Sequence, residues 1–138
     1  PVTVALLTDI HVAGPDMPPK RLGRIVAQVN ALEPDLIVIG GDLVSDGRLV
    51  THVYQPDEIM APLAGLKAPL SVILVPGNHD HWYDWPGLKA ALSKTDIVVV
   101  ENEAGRWRSA GSTTNIPATT IFPRPCARWR SSKAHGSS

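Results

Sequence analysis

The chain reads as an α/β protein built from parallel β-α-β units, and three observations carry that reading. Four short, branched apolar runs alternate with three segments of helical length and pattern. The connections between them are short, and such an alternating order implies right-handed crossovers with helices packed on the sheet's faces. The first run is apolar at successive positions instead of every second one, as a strand buried on both faces should be.

The first strand is Val2 to Thr8, followed directly by Asp9-Ile10-His11. Residues 12 to 19 form a loop, punctuated by Gly14, Pro15, Pro18 and Pro19. A helix is expected from about Lys20 to Leu32, because Leu22, Ile25, Val26 and Val29 recur at helical spacing while Lys20, Arg21, Arg24 and Gln28 fill the other face. Pro34 ends it. The second strand is Asp35 to Gly40, with Gly41-Asp42 at its exit, and residues 43 to 54 read as loop. A second helix from about Pro56 to Leu66 starts with proline in its first turn and places Asp57 and Glu58 favourably against the helix dipole. The third strand, Leu70 to Val75, is closed by Pro76-Gly77, with Asn78-His79-Asp80 just beyond. The aromatic segment His81-Trp82-Tyr83-Asp84-Trp85 either packs over this loop or walls a substrate cleft. A third helix runs from roughly Pro86 to Ser93, and Ile97 to Val100 is the fourth strand.

With 138 residues, 43% apolar and 19% charged, the chain has globular composition and one domain's length. Its single cysteine, Cys126, excludes an internal disulfide and a thiolate metal site. No run approaches the roughly 18 apolar residues of a membrane span, and no signal-peptide pattern opens the chain. It begins with Pro1 and enters a strand almost at once, which leaves room for a signal or membrane anchor upstream. The formal net charge of zero hides a division. All thirteen acidic residues lie between Asp9 and Glu103, against seven basic ones, whereas residues 106 to 138 carry six basic residues and no acid. So abrupt a shift marks a domain boundary, a basic tail or a stretch of foreign sequence.

The polar residues at the strand exits are the candidate site. Asp9 and His11 follow the first strand, Asp42 the second, Asn78 and His79 the third. In open α/β sheets that edge is where ligands bind. Each has an ordinary reading as a turn cap or surface histidine. Gathered at one edge, however, two carboxylates, two imidazoles and an amide are costly unless a cation neutralises them. Oxygen and imidazole donors without thiolate suit manganese, iron or zinc better than calcium.

Asp9-Ile10-His11, Gly41-Asp42 and Gly77-Asn78-His79-Asp80 resemble, in order and spacing, the D-x-H, G-D and G-N-H-[DE] blocks of the calcineurin-like metallophosphoesterases, closest to small bacterial members. The resemblance covers about residues 2 to 105 and implies the N-terminal half of a four-layer α/β/β/α sandwich. It also implies a binuclear centre of two divalent ions (Mn2+, Fe2+/Fe3+ or Zn2+) that hydrolyses phosphate mono- or diesters through a metal-bridging hydroxide. By that carry-over Asp9 and His11 bind the first metal, Asp42 bridges both, Asn78 binds the second, and His79 protonates or stabilises the leaving oxygen. The implied partner is a small-molecule, lipid or nucleotide phosphate ester.

The family's second half supplies a further histidine and a G-H-x-H block, neither of which occurs here; the histidines outside the motifs are His52, His81 and His135. The first metal then keeps three protein ligands and the second only Asp42 and Asn78. The expectation is therefore a metallophosphoesterase domain over residues 1 to 105, weak or inactive in this chain, and a basic non-matching tail over 106 to 138. The Arg-, Ser- and Pro-rich composition of that tail suggests a shifted reading frame. The alternative is a non-catalytic fragment with a partial metal shell. Nucleic-acid binding by the tail is disfavoured, because six dispersed basic residues with Trp107 and Trp129 are thin support.

Overall fold

The computed structural model describes residues 1–45 and 50–101. The expectations for the tail beyond residue 105 lie outside the described residues. The element order is β1 (Val4–Leu7), α1 (Pro19–Ala31), β2 (Leu36–Ile39), α2 (Pro56–Leu63), β3 (Ser71–Leu74), α3 (Asn78–Leu92) and β4 (Val98–Val99). The four strands form one parallel sheet in the order β1-β2-β3-β4, with Leu7 beside Ile39, Ile39 beside Leu74, and Leu74 beside Val99. The α/β class and the parallel pairing follow the sequence expectation.

Layering follows the half-sandwich that the family resemblance implies. Each strand lies beside its predecessor, so three right-handed crossovers carry α1, α2 and α3 to the same face of the sheet, not to both. Burial alternates accordingly. Leu7, Ile37, Ile39, Val72 and Leu74 are buried in a core with Leu22 and Val26 of α1, Ile59, Met60 and Leu63 of α2, and Leu88 and Leu92 of α3. The other face carries Leu6, Val38, Ile73 and Val98 in one register row, with Val4 and Leu36 in the next. A single α/β layer pair of this kind is one half of an α/β/β/α sandwich.

Two helices differ in their limits. α2 stops at Leu63 with Pro62 inside its last turn, a proline that cannot donate to the helix ladder. α3 starts at Asn78, so the stretch expected to be loop up to Trp85 is largely helical. The Asp80 carboxylate accepts the Gly77 N–H at 2.8 Å and fixes that first turn. The backbone leaves helical geometry at Asp84 (φ −168°, ψ 75°), whose carboxylate accepts the Gly87 N–H at 3.1 Å. Asp84 thus caps a second helical segment containing Pro86, the one the sequence predicts. The 43-to-54 stretch is not a peripheral loop throughout: Leu43 and Val44 are buried, and Val44 bridges to Val12 in parallel.

Candidate metal centre

Beyond the ends of β1 and β2 the two chains keep running side by side. Asp9 N–H donates to the Gly41 carbonyl at 3.2 Å, His11 N–H to Asp42 at 3.0 Å and Val12 N–H to Leu43 at 2.8 Å. This pairing continues the sheet through residues whose backbone is not extended. Asp9, His11 and Asp42 all adopt left-handed φ values of 53°, 50° and 50°. For residues with a Cβ each such conformation costs about 1–2 kcal/mol. Such strain clusters where a function requires it.

The third exit is brought in by two glycines. Gly41, at φ 92°, lies so close to Gly77 that a Cβ on it would meet the Gly77 nitrogen at 2.8 Å. A Cβ on Gly77 would fall onto the Asp42 carboxylate and backbone nitrogen. Only hydrogen at both positions lets the exits of β2 and β3 meet. The result is that Asp42 Oδ1 accepts the His79 N–H at 3.1 Å, at the start of α3, where the helix dipole favours a carboxylate. From below, the buried Asp80 carboxylate accepts the Val44 N–H at 3.1 Å as well as that of Gly77. One side chain therefore ties the β2 exit to the β3 exit.

Through this framework, His11, Asp42 and His79 each offer a donor atom, all within 4.8 Å of one another. The His11 and His79 rings stand edge to face, 4.8 Å between centroids at 87°. Asp9 is at the margin, its Oδ1 3.9 Å from His11 Nε2 and its Oδ2 accepting the Thr8 hydroxyl at 2.7 Å. Asn78 is exposed at the first position of α3, next in sequence to His79. Two imidazoles and a carboxylate are a fitting donor set for a first-row divalent cation.

One contributor escapes sequence reasoning, and the aromatic segment divides between the two roles expected of it. Asp80 belongs to the third block, but its buried tie to Val44, 36 residues away, has no sequence signature. Trp82 packs its ring on His79, centroids 5.0 Å apart, whereas Trp85 turns inward. A depression of about 620 Å3, lined by Asn30, Lys67, Ser71 and Asp96, lies at the opposite, amino-terminal rim of the strands and is remote from this cluster.

Comparison with known sequences bears on the whole described region. The sequence profile of the calcineurin-like phosphoesterases matches residues 2–124. An uncharacterized metallophosphoesterase of Helicobacter pylori strain J99 is 32% identical over 100 residues, covering 72% of this chain and 25% of that protein. A bovine transmembrane protein with metallophosphoesterase domain is 33% identical over 110 residues, 79% of this chain and 23% of its own length. The UDP-2,3-diacylglucosamine pyrophosphatase LpxG of Chlamydia trachomatis is 28% identical over 78 residues, 56% of this chain and 22% of its own. The chain thus spans about a quarter of the length of these relatives. Among the described residues, no helix is long and apolar enough to cross a membrane.

Proposed function

The chain belongs to the calcineurin-like phosphoesterase family, and on that premise we propose that its strand-exit cluster is the metal-binding half of a centre that hydrolyses phosphate esters. The observation that supports it most is the convergence of His11, Asp42 and His79 donor atoms within 4.8 Å, from three successive strand exits. In this reading Asp9, His11, Asp42 and Asn78 would hold two divalent cations. When bound, the cations neutralise the phosphoryl oxygens and make water acidic enough to attack at neutral pH.

The chain's own groups do the rest. Asp42 keeps one acceptor position on the His79 N–H, so its carboxylate is oriented before any ligand arrives. His79 has its Nδ1 buried, and in this proposal its Nε2 carries the proton to the departing alkoxide, general-acid chemistry suited to an imidazole near neutral pH. In this proposal residues 1 to 105 form the catalytic domain's first half and the loss of acidic residues from 106 onward marks a foreign tail, against a profile match that runs on to residue 124. Sequencing the coding DNA tests the tail: a shifted frame past codon 105 should restore strands and a Gly-His-x-His block.

For activity, the chain is assayed with added Mn2+ on an activated phosphodiester such as bis(p-nitrophenyl) phosphate. Slow turnover that Asp42→Asn abolishes supports the enzyme. Metal binding without turnover supports the second reading, a partial metal shell without catalysis.

A further inference from the structure

The aromatic segment after His79 divides into residues used for packing and one that is not. Tyr83 donates its hydroxyl to the Tyr54 carbonyl at 2.6 Å, and Trp85 is buried with Nε1 donating to the Glu101 carboxylate at 3.0 Å. Trp82 is 63% exposed. It nevertheless stands against the His79 ring, 5.0 Å between centroids at 63°, and His79 in turn stands 4.8 Å from His11. The three rings form a row. Its inner two members belong to the donor cluster, and its outer member opens to solvent.

An exposed indole forgoes the free energy of burial. Held at the lip of a polar cluster, it offers a π face to whatever group extends outward from the bound phosphate. It adjoins His79, itself one of the donors, a reach that a ring attached to phosphorus through a single oxygen spans directly. A nucleobase, set off by a ribose, would pass beyond it. We propose that Trp82 determines specificity by stacking on the aromatic ring of an aryl phosphate ester, the ring leaving as a phenol when His79 supplies its proton. The proposal rests on the phosphoesterase reading of the cluster.

The test uses ligands that cannot turn over. Benzylphosphonate keeps the aryl ester's spacing with CH2 in place of oxygen, and ethylphosphonate lacks the ring. Calorimetric titration of the 138-residue chain in Mn2+ should give benzylphosphonate an affinity about tenfold above ethylphosphonate, the order expected of an offset ring pair. Trp82→Ala should bring that ratio to within twofold, and Trp82→Phe should restore most of it. Equal affinities in the parent chain, or a preference that survives Trp82→Ala, would overturn the role of Trp82 while leaving the phosphate site standing. Binding of neither phosphonate overturns the phosphoesterase reading and this inference with it.

Discussion

Two residues carry unlike burdens at this site. Gly77 is there because nothing larger fits: a methyl group would land on the Asp42 backbone nitrogen and on its carboxylate, which is tied to the His79 N–H. Gly77→Ala should therefore destabilise the fold by about 2–3 kcal/mol, the cost of forcing packed backbone apart. It should also weaken Mn2+ binding, because the displaced group is itself a proposed ligand. Urea unfolding read beside metal titration checks both; full stability in the variant would show that the β2 and β3 exits are not in contact. His79 poses a sharper question, since its ring lies within donor reach of Asp42 and His11 while family resemblance makes it an acid. If it is the acid, His79→Asn should leave Mn2+ affinity within about threefold and lower the rate by about 10²–10⁴, the usual worth of a positioned proton donor. A tenfold or greater loss of metal affinity would make it a ligand instead.

At the scale of elements, the strands were legible because Leu36-Ile37-Val38-Ile39 and Ser71-Val72-Ile73-Leu74 combine branched side chains with a Gly or Pro-Gly stop. The polar blocks were legible for the same reason, since a parallel strand delivers whatever follows it to one rim. The first turns of α3 were not. Asn78-His79-Asp80-His81-Trp82 has no apolar period, and its helicity depends on the Asp80 carboxylate reaching Gly77 N–H and on packing that only the assembled sheet supplies. Nor could strand order be read locally, and with it the one-sided placement of the helices. The join between α3 and the chain beyond β4 is electrostatic: Glu101 accepts from Lys89 Nζ at 2.8 Å and from Trp85 Nε1 at 3.0 Å. The hydrogen bond from Lys89, aided by Trp85, holds the Glu101 carboxyl below its ordinary value. A group whose folded pKa is depressed stabilises the fold above its unfolded pKa and loses that contribution as pH falls through the folded one. Glu101→Gln should accordingly be less stable than the parent chain at neutral pH, the two curves merging in acid. Thermal melts from pH 7 down to pH 3 check this, and a constant gap across that range would remove Glu101 from the account.

Among the described residues the molecule is asymmetric about its sheet. One face is sealed by three helices, while the other presents Leu6, Val38, Ile73 and Val98 in one row and Val4 and Leu36 in the next. Leu6 is 68% and Val4 52% exposed, on the edge strand where cover is least. Apolar patches of this kind are uncommon on free-standing domains and mark a surface that a larger assembly covers, or one that drives aggregation. In the family, a second sheet of the sandwich would meet it, and these residues account for about a quarter of the relatives' length. The face should therefore behave as exposed core: the full chain should bind a hydrophobic dye such as ANS in its native state and lose solubility with concentration. Leu6→Lys, on the uncovered side of β1 and away from the rim that holds Asp42, should reduce dye binding and raise solubility. Its effect on unfolding free energy should stay within about 0.5 kcal/mol, as for an exposed position. A loss of several kcal/mol would mean instead that Leu6 is buried in solution.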